Sequence, residues 1–332
     1  MPYMSVQRVI ALGVETTYGV SPTDPTVWLQ VDPNPGDEPQ MTYLENKALY
    51  GSPAIVYDVV AGVEHQKISL KGNYFTDTGP YLTWLMLGVD TVSGTAAPYT
   101  HTIQLINDPS VGSQPSSVSI WDIDNVAATD NAGTSGACKL INGCVLDSLS
   151  LSMSATGALS YTADFVGKQI VEAAIPSTFA FTDTVFLPAY TFALSINGTS
   201  YPIMEEATID IKRGAKPIPT LNGSRYPYTV WDNGIDVTGK FTIIAEPNDP
   251  NFWGALKTEN NNELVFAGTD PITSTPYTWT LGGVQLKSPK IESSKEWEEL
   301  TVDYQANAIP SLAISGYSPI EFVFESTSAT PL

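Results

Sequence analysis

The feature that most constrains this chain is a two-residue alternation of apolar and polar side chains, which recurs along its whole length. Gln66-Lys67-Ile68-Ser69-Leu70-Lys71, Ser117-Val118-Ser119-Ile120-Trp121, Leu149-Ser150-Leu151-Ser152-Met153, Ala207-Thr208-Ile209-Asp210-Ile211-Lys212 and Glu321-Phe322-Val323-Phe324 all carry it. Only an extended strand sends successive side chains to opposite faces. Each run therefore reads as a strand with one face on a core and the other in water, the pattern of an antiparallel sheet. Thr, Ser, Val, Ile and Tyr fill the runs, and Gly, Pro, Asn and Asp bound them. The expected fold is mainly β.

Two segments interrupt that rhythm. Asp77–Gly88 places a cap and Pro80 before an apolar stretch and ends on Gly, which predicts a short buried helix. Asp249–Lys257 has the same grammar, with Pro250 followed by Phe252, Trp253 and Leu256. One helix in each half suggests a repeat. Ile68–Phe75 and Ile235–Thr242 precede the helices as matching strands, each with a Gly two positions before an aromatic residue. After the helices, Ile141–Ser148 with Leu159–Phe165 matches Leu281–Ser288 with Leu300–Tyr304. Asn142-Gly143 and Gly282-Gly283 read as tight-turn dipeptides at equivalent places. The second copy begins with an extra strand, Ala189–Asn197, and has no counterpart of the loop Asp122–Ala137.

With 332 residues the chain has room for about two domains. The unpatterned stretch around residues 170–190 divides it into 1–175 and 186–332. Within the first, Val31–Ala61 holds four prolines and little periodicity, and reads as an extended loop or arm of the kind that usually carries a function.

Charge narrows the function classes. Thirty-five acidic residues against 15 basic ones leave −20, and the nearest approach to a basic cluster is Lys212, Arg213 and Lys216. Such a surface repels phosphates and anionic membranes alike. No apolar stretch is long enough to span a bilayer, and Met1–Ser5 lacks the features of a signal peptide. Cys138 and Cys144 are expected as free, half-buried thiols. His65 and His101 lie too far apart in sequence to suggest a zinc site, and both read as strand residues.

Chemistry finds few parts. Asp122 with Asp124, or Glu205 with Glu206, could form a carboxylate pair, but a chain so rich in acids offers such pairs by chance. Asp122, Asp124, Asp130 and Asn131 lack the spacing of a calcium loop. There is no G-x-S-x-G and no phosphate-cradling glycine loop. Trp28, Trp231 and Trp297 could stack on a sugar, though scattered strand aromatics usually pack in cores or interfaces. The expectation is a protein of assembly rather than an enzyme, with no cofactor and no metal.

Taken in order, Ile10-Ala11-Leu12-Gly13-Val14-Glu15-Thr16-Thr17-Tyr18-Gly19, then Val63–Phe75, the helix through Leu87-Gly88, Tyr99-Thr100-His101-Thr102 and finally Gly136–Gly167 resemble the tail tube (major tail) proteins of long-tailed bacteriophages. The likeness covers most of residues 8–170 and, through the repeat, much of 190–325. It implies two tandem tail-tube-like β-sandwich or barrel domains, each with one short flanking helix. Copies would close into rings whose inner sheets form a continuous barrel, and rings would stack into a DNA-conducting tube in the virion, assembled in the host cytoplasm. A duplicated chain would form trimeric rings with pseudo-six-fold symmetry. Implied partners are the chain itself, the tail terminator, tape-measure and distal tail proteins, and DNA as a non-sticking cargo. Asp147, Asp164, Asp210 and Asp303 would line the lumen, and Asp37, Glu38, Tyr43 and Tyr50 would belong to an arm touching the neighbouring ring. The competing expectations are a decoration or cell-surface adhesion protein that binds carbohydrate or another protein, and a hydrolase built on an acidic pair.

Overall fold

The computed structural model describes residues 8–33, 35–48, 50–106, 116–123, 138–176, 181, 185–244, 262–292, 297–308 and 317–332. The alternating runs form strands. The first half contributes β1 (Val9–Val14), β2 (Val27–Leu29), β3 (Gly36–Asn46), β4 (Asp58–Asn73), helix α1 (Gly79–Leu87), β5 (Gly88–Ser93), β6 (Tyr99–Leu105), β7 (Val118–Ile123), β8 (Cys138–Ser154), β9 (Ser160–Gly167) and β10 (Gln169–Glu172). The second contributes β11 (Ala193–Ile196), β12 (Thr199–Tyr201), β13 (Met204–Lys212), β14 (Lys216–Ile218), β15 (Thr229–Trp231), β16 (Asp236–Ile244), β17 (Asn262–Thr269), β18 (Pro276–Glu292), β19 (Glu299–Ala306) and β20 (Ile320–Ser326).

An antiparallel ladder crosses the molecule in the order β3-β4-β9-β8-β13-β16-β19-β18. Its first four strands come from the first half and its last four from the second. They meet where β8 pairs with β13, from Ser148↔Lys212 to Ser154↔Glu206. The early part of β8 leaves this ladder for a second sheet, β2-β1-β7-β8-β10. The early part of β18 does the same in β12-β11-β17-β18-β20, which β6 and β5 extend past β20. The two halves thus repeat one strand order. This corrects the expectation of an unmatched strand at Ala189–Asn197: after a 3-10 turn at Ala189–Thr191, β11 pairs with β12 and β17 as β1 pairs with β2 and β7.

Asn142-Gly143 and Gly282-Gly283 are not hairpin turns. Both lie inside a 17-residue strand at the point where it passes between sheets. Gly143 and Gly283 have φ of 62° and 57°, and each kink faces the same register shift, between Val118 and Ile120 in one half and between Asn262 and Leu264 in the other. A left-handed glycine inserts the extra residue of a bulge and bends the strand without ending it.

The core lies between the ladder and the other two sheets. Leu149, Leu151, Tyr161 and Phe165 join Ile209, Phe241, Val302 and Tyr304 in a single cluster with the helix residues Leu82, Leu85 and Met86. A glycine–tyrosine pair recurs on the core side of the ladder. Gly72 faces Tyr161, whose hydroxyl donates to Gln30 O at 3.3 Å, and Gly239 faces Tyr304, whose hydroxyl donates to Thr208 O at 2.7 Å. A Cβ at Gly239 would stand 2.1 Å from Thr208 O, so only glycine lets the tyrosine lie flat across the strand.

Helix α1 follows its sequence grammar, with Pro in the first turn and Gly88 at φ 101° closing its C-terminus. The helix expected at 249–257 lies outside the described residues. So do residues 177–180 and 182–184 of the expected boundary and all of the Asp122–Ala137 loop beyond Ile123. Val31–Ala61 is not a loop. Residues from Gly36 on form β3, which turns back into β4 as an antiparallel hairpin.

Candidate assembly surfaces

The ladder has one apolar and one polar face. On β8, Leu149, Leu151 and Met153 are buried while Ser148, Ser150, Ser152 and Ser154 turn the other way, and the neighbouring inner strands β9 and β13 repeat that division in register, whereas the edge strand β3 has no buried residue. One row of the polar face runs Ser160, Ser152, Thr208, Lys240, Asp303, Lys287 across six strands. Asp164, Asp210 and Asp303 all stand on this face. Ser148 Oγ donates to Asp164 at 2.8 Å, and Ser150 Oγ donates to Asp210. Asp147 is different. It sits at a bulge in β8 and its carboxylate accepts the Ala215 N–H at 2.6 Å, where the chain leaves β13. Burial pushes the Asp147 carboxyl up, the Ala215 N–H pulls it down, and the charge of Asp164 pushes it up again.

Sequence reasoning missed the lysines. Lys67 lies opposite Glu38, Lys212 opposite Asp236, and Lys240 and Lys287 flank Asp303. Directly opposed charges of unlike sign stabilise the pairing and cancel each other's field. The polar face is a hydroxyl-rich carpet near charge balance, so most of the −20 lies elsewhere. Cross-strand register sets this, and no linear pattern displays it.

Among the described residues, the ladder ends in two strands that pair on one side only, β3 and the last part of β18. β3 carries Asp37, Glu38 and Pro39, while β18 carries Lys287, Pro289 and Lys290. Proline and charge guard an edge against indiscriminate pairing. Here the two edges also carry opposite charge. Asp37 turns toward the core opposite Ile68. Burial pushes its carboxyl up, Lys139 pulls it down, Asp122 pushes it up and Arg8 pulls it down.

The arm is the outer part of the β3–β4 hairpin. β9 covers β4 only from Gln66 to Asn73, whereas β3 and β4 remain paired out to Asn46↔Asp58. The outer ribbon exposes Met41, Tyr43, Leu44, Val59, Val60 and Val63, and Leu44 is 64% exposed. A two-stranded ribbon with such a surface is at most marginally stable alone, and clustered exposed apolar groups mark an interaction surface. Tyr43 and Tyr50 belong to this outer part, with Tyr50 accepting from Asn46 Nδ2 at 3.1 Å. Asp37 and Glu38 lie at its base, inside the ladder.

The candidate catalytic and binding residues are locked elsewhere. Asp122 lies within β7, not in a loop; it is buried and held by both nitrogens of an Arg8 fork, and Asp124 is outside the described residues. Glu205 accepts from Trp297 Nε1 at 3.0 Å, while Glu206 is exposed on the polar face. His101 is buried between Asp90 and Ser328 O, and stacks on Phe324. His65 is half-buried on β4, and burial and then Lys67 hold its pKa down. Trp28 belongs to a small core cluster with Trp121 and Leu140, apart from the exposed Trp231 and Trp297. Cys138 and Cys144 are thiols not joined in a disulfide, and both are fully rather than half buried. Arg213 is no nucleic-acid contact: it is buried, paired with Asp232, and donates through Nε to Met86 O at 2.6 Å and through Nη2 to Leu87 O at 3.4 Å. Glu15 accepts from Gly19 N, Ser117 Oγ, Ser119 Oγ and Gly143 N, all within 2.8 Å, and ties the Thr16–Tyr18 turn to the β8 kink.

A family model described as phage tail tube protein matches residues 5–306, spanning both halves of the repeated strand order. A search of curated proteins finds no match.

Proposed function

The chain belongs to the phage tail tube protein family and is a structural component of the phage tail, and from that premise we propose that its copies close edge to edge into rings that stack as a DNA-conducting tube. One observation carries this reading. The β8–β13 junction already joins two four-stranded units edge to edge within the chain, and the same two kinds of edge, β3 and β18, stand open at its ends. Pairing β18 of one copy with β3 of the next repeats the internal junction and removes the last open edges of the ladder.

Size supports several copies. At about 4.8 Å between strands and about 40° of tilt, eight strands closing on themselves enclose only side chains. Three copies of the eight-stranded ladder close at about 50 Å between backbones, well beyond the 16–18 strands that already leave an open channel. The ring is then trimeric with pseudo-six-fold symmetry, residues 1–175 and 186–332 acting as tandem tube domains. Asp164, Asp210 and Asp303 face the lumen, with Asp147 at its margin. DNA meets hydroxyls and neutralised charge pairs in place of a basic groove, and the overall −20 opposes adhesion of its phosphates. The arm, with Tyr43 and Tyr50 in its outer part, reaches the adjacent ring. The tube ends meet the terminator, tape-measure and distal tail proteins.

Charge reversal on one edge tests the closure. Lys287→Glu with Lys290→Glu sets acid against the acidic β3 edge of the next copy. The expected outcome is a monomer with unchanged circular dichroism and few or no tubes by electron microscopy. Tubes forming as readily as those of the parent protein would remove the β3–β18 contact.

A further inference from the structure

The second half has its own counterpart of the arm. β13 continues through residues 213–215 into β14, and β15 through 232–235 into β16, so the β14–β15 hairpin prolongs β13 and β16 as the arm prolongs β3 and β4. The two differ in posture. β14–β15 folds over the neighbouring unit of the ladder, where Val230 packs on Val145 and Val166. Its connecting loop reaches the base of the arm. Arg225 Nε donates to Gly62 O at 3.2 Å, its guanidinium pairs with Glu64, and Glu64 N donates to Arg225 O at 3.0 Å. The β14–β15 hairpin thus has a resting place on the unit beside it, whereas the outer part of the arm has none among the described residues.

The repeat points to one. Glu64 lies eight residues before Gly72, and the residue eight before Gly239 is Trp231. Trp231 is 53% exposed and Tyr228 66%, and Ile218 and Leu221 are exposed beside them. The arm brings Val59, Val60 and Val63, also exposed. We infer that the arm of one copy lies across the β14–β15 hairpin of the next copy in the same ring, with Val59 to Val63 against Trp231 and Tyr228. This rests on the β18–β3 closure, which carries the arm toward β19 and β16 of the neighbour just as the β8–β13 junction carries β14–β15 toward β9 and β4. The internal contact is sealed by an ion pair, and the external one by apolar surface. Two apolar patches, each too exposed to suit a monomer, are covered at once. The arm's outermost loop, with Tyr50, still extends to the adjacent ring.

Covalent trapping tests it. Val59→Cys and Trp231→Cys in one chain, assembled into tubes and treated with a bismaleimide, should give a ladder on a denaturing gel that stops at the number of copies in one ring. The native thiols at 138 and 144 are buried and stay out of the reaction. A ladder running past one ring, or no cross-link in well-formed tubes, would overturn the inference and leave the tube reading intact. Parent protein that never forms tubes would instead strike the reading beneath it. Should the double variant fail to assemble, hydrogen exchange on the parent decides. Residues 58–64 and 216–231 should gain protection together on assembly, and protection of the arm alone would refute the contact.

Discussion

Arg213 carries a positive charge to the carbonyls that helix α1 leaves open at its C-terminus, while Asp232 neutralises it from the other side. Helix and arginine belong to different halves, so this side chain binds them together. Arg213→Ala leaves Asp232 buried without its counter-charge, and should lower the unfolding free energy by about 3–5 kcal/mol. Chemical denaturation measures this, and a loss below about 1 kcal/mol, the scale of an exposed pair, would contradict the burial argument. Asp37 works in the opposite direction. Its folded pKa is raised above the ordinary 3.8, so the protonated form favours the fold. That stabilisation is complete below the unfolded value and is lost as pH rises through the folded one. Asp37→Asn is neutral at every pH. It should therefore melt higher than the parent at about pH 7 and together with it at about pH 3; a lower melting temperature at neutral pH would show that the Lys139 and Arg8 attractions prevail. Neither role was legible in sequence. Arg213 stood out only as part of a weak basic cluster, and Asp37 as one acid among 35.

At the scale of elements, periodicity revealed what had one face in a core and hid what did not. β4, β8, β13 and β20 could be read directly because burial enforces their alternation. The arm escaped. Its outer ribbon is exposed on both faces, so nothing selects an alternating pattern, and its prolines suggested a loop. The kink glycines misled for a related reason: a glycine pair reads alike whether the chain reverses or merely bends, and only the partner strand tells the two apart. Since the outer ribbon adds no buried apolar residue to the main core among the described residues, it is expected to be separable from folding. Replacing residues 42–62 with a two-residue turn should leave a monomer with nearly parental circular dichroism and melting temperature but unable to form tubes. Tubes of ordinary length from that variant would deny the arm any part in assembly.

At the scale of the whole molecule, the repeated strand order is the organising fact. The sequence displayed part of it, through the Gly72 and Gly239 strands and the β8–β9 and β18–β19 pairs. It could not display the ladder, because the β8–β13 contact joins strands more than 50 residues apart. Nor could it show that Asp303 lies between two lysines, since those neighbours come from other strands. The proposed closure places one requirement on the assembled particle: the wall must run unbroken from chain to chain. Cryo-electron microscopy of the tube tests this most directly. The account predicts three chains per ring, pseudo-six-fold density, and β18 of each chain hydrogen-bonded to β3 of the next in a continuous barrel. Six chains per ring, or a wall interrupted between β18 and β3, would contradict it.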